Sequence, residues 1–118
     1  MPNGRDLKHI LAKVDNHESL VGVDLRNLFL SFMDFSRLEL RRADLEGCCL
    51  NHARLNGCDL TGANLRNAKL THASLNGAKL EGAVLTNVIA AGASFKGATG
   101  LTASTKEYLK SKGAKGLD

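Results

Sequence analysis

Residues 43–85 read ADLEGCCLNHARLNGCDLTGANLRNAKLTHASLNGAKLEGAVL, with leucine at 45, 50, 55, 60, 65, 70, 75, 80 and 85. No regular element puts every fifth residue in one place. A helix advances about 100° per residue, so five steps rotate about 140° and scatter the leucines around the axis. A strand alternates faces with period two, so an odd step sends successive leucines to opposite sides. The chain must therefore turn a corner within each five residues and bring every leucine back toward a common axis, which makes a solenoid.

A second column runs two residues before each leucine. It holds Ala43, Cys48, Ala53, Cys58, Ala63, Ala68, Ala73, Ala78 and Ala83 in the quoted stretch, with Val23, Leu28, Met33 and Leu38 before it and Val88, Ala93 and Ala98 after it. Large and small apolar residues alternate inward, which fills a narrow core without voids. The expected core is Leu25, Leu30, Phe35, Leu40, Leu45, Leu50, Leu55, Leu60, Leu65, Leu70, Leu75, Leu80, Leu85 and Phe95, with Ala43, Ala53, Ala63, Ala68, Ala73, Ala78, Ala83 and Ala93 as the small column. Two positions beyond the leucines stand Asn27, Gly47, Gly57, Gly62, Asn67, Gly77, Gly82, Asn87, Gly92 and Gly97. Glycine and asparagine tolerate the positive φ that the third residue of a type II turn requires, so one turn is written into each repeat.

These repeats, Ala43-Asp44-Leu45-Glu46-Gly47, Ala63-Asn64-Leu65-Arg66-Asn67 and Ala78-Lys79-Leu80-Glu81-Gly82 among them, resemble the A(D/N)LxG pattern of the pentapeptide-repeat family over residues 23–97. Phe35 and Ala90 depart from the central leucine, and Leu28, Met33 and Leu38 from the small column. The resemblance implies an all-β fold, a right-handed quadrilateral β-helix of about four coils with 20 residues in each. Residues 20 apart then stack at roughly the 4.8 Å strand spacing, so that Leu25, Leu45, Leu65 and Leu85 form one inner column.

Coil edges need lids. Residues 1–20 read as an N-terminal cap, with Leu7, Ile10, Leu11 and Val14 on one helical face after an Asp6 N-cap. Residues 21–98 are the repeat solenoid. Residues 99–118 read as a C-terminal capping helix and tail, with Ser104 and Glu107 framing a capping box, Tyr108 and Leu109 following, and Gly113 as the stop.

Composition excludes several functions. The 118 residues make one domain, with 16 basic against 12 acidic residues and a net charge of +4. Half of that excess lies in the lysines of the tail, and the repeats carry mixed signs, as a solvated surface does. No apolar run approaches a membrane span, the first residues lack a signal-peptide layout, and three cysteines fit a reducing compartment. A cytoplasmic location is expected. There is no phosphate loop, nucleophile elbow or HExxH, and a filled interior leaves no substrate cavity, so neither enzyme activity nor a cofactor is expected.

Three surface groups are candidates. Cys49, His52 and His72 share one side, with Phe32 stacked before His52, and could hold a metal; surface histidines repeating at the coil spacing are the plainer reading. Phe29 and Phe32 face outward, as do Val84 and Ile89, and mark either an interaction patch or the seat of the N-terminal helix, which is expected to cover the pair. Arg37, Arg41 and Arg42, with Glu39 beside them, form a solvated edge or a site for phosphates or carboxylates. The function expected is a non-enzymatic structural and protein-interaction module with an unidentified protein partner, homodimerisation being allowed. The resemblance supplies a rival, because one branch of the family protects type II topoisomerases from quinolones by imitating duplex DNA. That mechanism needs an acidic stripe, and the pI here is about 9.2. Nucleic-acid binding is not expected, since no aromatic stacking surface accompanies the basic residues.

Overall fold

The computed structural model describes residues 7–118. From Leu20 onward the backbone turns at each pentapeptide, and every turn closes with a hydrogen bond from the residue after the corner to the preceding inner residue. Examples are Val23 N–H to Leu20 O at 3.1 Å and Ala43 N–H to Leu40 O at 3.0 Å. Four corners complete a coil. Parallel bridges then join residues 20 apart: Asp24 to Asp44 to Asn64 to Val84 on the first face, Phe29 to Cys49 to Lys69 to Ile89 on the second, Asp34 to Arg54 to Ser74 to Ser94 on the third, and Glu39 to Asp59 to Lys79 to Thr99 on the fourth. Each bridge is a single residue wide, because a corner every five residues leaves only a short extended piece between turns. Among the described residues the only longer regular elements are two helices, α1 (Leu7–Asp15) and α2 (Ala103–Ser111).

The corner residues explain how the period of five is held. All sixteen positions from 22 to 97 in steps of five have positive φ: eight are glycine and three asparagine, and Phe32, Arg37, Arg42, His52 and His72 adopt it too. A left-handed residue with a Cβ costs about 1–2 kcal/mol. It persists here because the corner N–H is also tied to the next coil, as in Phe32 to Asn51 O at 3.0 Å and His52 to Thr71 O at 2.9 Å.

The inner columns close into one core. The leucines of the four corners are buried, with Phe35 and Phe95 fitting where leucine is replaced and Ala90 also buried. Cys48 and Cys58 fill small positions and donate their thiols to Leu25 O and Phe35 O, both at 2.7 Å. Ala83 departs from the expected core in being only half-buried; it lies in the last coil, next to the end of the stack, as Val23, Leu28 and Met33 do in the first.

The two lids differ from the sequence expectation in detail. Helix α1 buries Ile10 and Val14 over the start of the solenoid, but Leu7 is 40% exposed and Leu11 only half-buried, because a nine-residue helix lays just one turn-to-turn row onto so narrow an end. The Asp6 cap lies outside the described residues. Helix α2 is capped by Thr102, whose hydroxyl accepts from Thr105 N–H at 3.2 Å. The capping box placed at Ser104 is therefore two residues late, since Ser104 is already inside the helix. Leu109 is fully buried, and Tyr108 donates its hydroxyl to Val88 O at 3.1 Å. Lys112 ends the helix and Gly113 follows with φ +93. The tail then rejoins the solenoid. Lys115 bridges Ser94, donates to Ala93 O at 2.8 Å and accepts from Phe95 N–H at 2.9 Å, and Leu117 is buried beyond it. Gly100 has to be glycine, as a Cβ there would sit 2.6 Å from the Glu81 backbone.

Candidate functional site

The second face and the corner after it carry most of the exposed apolar surface. Phe29 is 83% and Phe32 75% exposed, so α1 does not cover them. Phe29 precedes the inner Leu30 and so points out of the face, Phe32 sits at a left-handed corner, and α1 caps the end of the axis instead of its side. Behind Phe32 a column of rings runs up the corner: Phe32 and His52 stack with centroids 4.8 Å apart and planes 2° from parallel, and His52 and His72 at 5.1 Å and 25°. The column ends at Gly92, whose missing side chain makes room for the His72 ring.

The proposed metal trio is arranged for stacking. Cys49 Sγ lies 3.1 Å from Ser31 Oγ, one coil below. That hydrogen bond, with help from Asn51 N–H and Lys69, holds the Cys49 thiol below its ordinary value against the opposing effect of burial. The His52 and His72 rings lie face over face, so their nitrogens do not converge with the sulfur. Among the described residues no three His, Cys, Asp or Glu side chains are placed to hold a metal ion.

The three arginines do not form one cluster. Arg37 and Arg42 occupy two successive corners, their side chains running over Gly57 and Gly62 of the next coil. Arg41 shares the turn of Arg42, bonded to Glu39 at 3.1 Å and 3.8 Å from Asp59. Leucines five residues apart converge because they point inward, whereas Arg37 and Arg42 point outward from successive corners of one coil and so diverge.

Elsewhere the coil repeat stacks like charges, and neighbours neutralise them. Asp24 lies below Asp44; Arg26 bonds both Asp24 oxygens at 2.9 and 3.0 Å and approaches Asp44 at 3.7 Å. Asn64 donates to Asp44 and Glu46. The third face has an amide ladder that no local motif announced: Asn56 Oδ1 accepts from Ser74 Oγ and Asn76 N–H, and Asn76 Oδ1 accepts from Ser94 Oγ and Lys96 N–H. Its only sequence signal is the pair Asn56 and Asn76, 20 residues apart, each followed 18 residues later by a serine, Ser74 or Ser94.

Helix α1 also creates a groove that was not expected on a convex solenoid. Its volume is about 700 Å3, and Asp15, His17, Asp34, Arg37 and the amides of Asn56 and Asn76 line it. The Asp34 carboxylate, held below its ordinary range by the Ser36 hydroxyl and then the Ser36 N–H, is already satisfied within its own turn. No hydrogen bond or ion pair joins Asp15, His17, Asp34 and Arg37 to one another among the described residues, although Arg54 and His17 add smaller electrostatic contributions that also favour the Asp34 carboxylate.

Comparison with known proteins agrees with this geometry. The family described as Pentapeptide repeats matches in 8 copies over residues 19–57, 48–87 and 63–99. A pentapeptide repeat protein (Rfr23) of the cyanobacterium Cyanothece 51142 superposes with a TM-score of 0.65 at 35% identity over 65% of this chain and 52% of its own. The chain thus spans about half the length of that relative. The pentapeptide repeat protein alr5209 of Nostoc Pcc 7120 superposes with a TM-score of 0.54 at 22% identity over 98% of this chain and 99% of its own, which speaks for the fold alone. No curated protein matches the chain by sequence. With the left-handed corner at every fifth residue and the pairing of residues 20 apart, these matches place the chain in the pentapeptide repeat family.

Proposed function

We propose that this chain is a non-enzymatic structural and protein-interaction module, a right-handed coil whose faces present defined chemistry to a protein partner in the cytoplasm. The observation that carries the reading is the division between inside and outside. The interior is filled by aliphatic, alanine, cysteine and phenylalanine side chains, and no polar or charged side chain is buried among the described residues. Chemical variety is confined to the outer columns, where it differs from face to face. A rigid backbone with freely variable outer residues suits recognition. Three free cysteines support a reducing location.

The rival reading, imitation of duplex DNA against a topoisomerase, needs a continuous acidic stripe. The stacked carboxylates of the first face are bonded by Arg26, those of the fourth by Arg41, and each column changes to Asn64 or Lys79 in the third coil. The net charge of +4 works against it as well.

Affinity capture from the native host, with the immobilised chain and competition by the free chain, tests the module reading. A host protein retained in stoichiometric amount and released by competitor is the expected result. Absence of any competed protein overturns the reading, and inhibition of gyrase supercoiling by the purified chain would favour the rival.

A further inference from the structure

We propose that the N-terminal rim of the second face, Phe29 to Ser31, is a docking edge for a short extended segment of a partner protein, added as one more parallel-stacked strand. This rests on the module reading above and names the surface that would serve it.

Between interior coils each face makes the same three bonds. On the second face these are Leu30 N–H to Cys49 O, Phe32 N–H to Asn51 O and Cys49 N–H back to Leu28 O, at 2.8 to 3.0 Å. The first coil should offer the equivalent groups on its other side: Phe29 N–H, Phe29 C=O and Ser31 C=O. None of the three has a hydrogen-bond partner among the described residues, although the fourth face is closed there by Leu20 N–H to Glu39 O at 2.9 Å. An unpaired edge with one donor and two acceptors in strand register is a template for another short strand.

The side chains beside this edge are apolar and open. Phe29 and Phe32 flank it, and Leu28 and Met33, which replace the alanine usual at their positions, are only half-buried at the same end of the core. A second copy of the chain is a poor occupant for so small a patch. The two phenylalanines expose roughly 300 Å2 between them, taking about 200 Å2 for a full ring side chain, whereas a lasting interface buries about 800 Å2 per partner. A short strand with an apolar side chain toward Phe29 or Phe32 matches the size of the patch and uses the backbone groups that a globular face would leave unpaired.

The test uses the full chain and random peptides displayed on phage as the probe, with the enriched peptide then synthesised and its binding followed by fluorescence anisotropy. Phe29→Ser with Phe32→Asn should weaken binding about tenfold or more; both side chains are exposed, and asparagine already serves the left-handed corner at Asn27 and Asn67, so the variant folds. Bound peptide should slow hydrogen exchange of the Phe29 amide and leave that of Cys49, already bonded to Leu28 O, unchanged. The proposal is overturned if no peptide is enriched, if the variant binds undiminished, or if the Phe29 amide is not protected. Concentration-dependent self-association abolished by the variant would also overturn it, assigning the edge to a second copy. A host protein captured equally by wild type and variant leaves the module reading intact and removes only this surface.

Discussion

Gly92 and Gly77 sit at equivalent corners with the same φ of +71°, yet they should respond very differently to alanine. At Gly77 a new Cβ would meet nothing closer than Gly57 N at 4.0 Å. Its cost is the left-handed conformation alone, about 1–2 kcal/mol, less the smaller unfolded-state gain of about 0.4–1 kcal/mol from replacing glycine. At Gly92 the same Cβ would lie on the His72 ring, 2.7 Å from Cε1. The ring must swing away. That forfeits the stack with His52, about 0.5–1.5 kcal/mol, and strains a side-chain torsion by about 0.5–1.5 kcal/mol. Gly92→Ala should therefore exceed Gly77→Ala by roughly 1–3 kcal/mol, measured by urea unfolding followed by circular dichroism. Replacing His72 by glycine should erase that excess, giving a coupling of similar size in the double-mutant cycle. Equal costs for the two alanines in the wild type, or an excess that survives His72→Gly, would refute the ring column as a packed structural unit.

Leu65→Ala, fully buried between Leu45 and Leu85, should cost roughly 2.7–5 kcal/mol, and Ala63→Leu about 1–3 kcal/mol through overpacking; thermal unfolding that moves for neither contradicts the register. In the native protein only Cys49 should react quickly with a thiol reagent at mildly alkaline pH, because Ser31 favours its thiolate while burial pushes Cys58 up to about 12 and Cys48 is also buried. Fast labelling of a second thiol before unfolding would count against that assignment. Asp59 is held below its ordinary 3.8, first by the Thr61 hydroxyl, then by Thr61 N–H, Lys79 and Arg41. A depressed carboxylate contributes stability that is complete above 3.8 and is lost as pH falls through the lower folded value. Acid unfolding should thus steepen below 3.8, and Thr61→Val should flatten it; an unchanged acid limb in the variant removes Thr61 as the cause.

The core was legible from the spacing, with Ala83 at the end of the stack as the exception. Leu45, Leu65, Phe35 and Phe95 lie where the step of five puts them, and the corner glycines and asparagines have the expected φ. Such residues repeat one local environment, so a single rule places them all. That rule also carried Phe32, Arg37, Arg42, His52 and His72 into left-handed corners, which residue type alone would not suggest, because the inter-coil hydrogen bonds outweigh the local cost. Legibility failed at the ends. The exposure of Phe29, the Thr102 cap and the return of Lys115 to Ser94 depend on how non-repeating helices settle on a coil edge.

By itself, then, the sequence determined the coil, its period and the residues inside it, since spacing along the chain decides which side of a turning backbone each residue faces. Only the tertiary structure decided the surface: which side chains stack across 20 residues, which carboxylates are bonded by Arg26 and Arg41, and which rim groups find no partner among the described residues. Those contacts join residues far apart in the chain, and their geometry is set by the stacking of whole coils and the seating of α1 and α2.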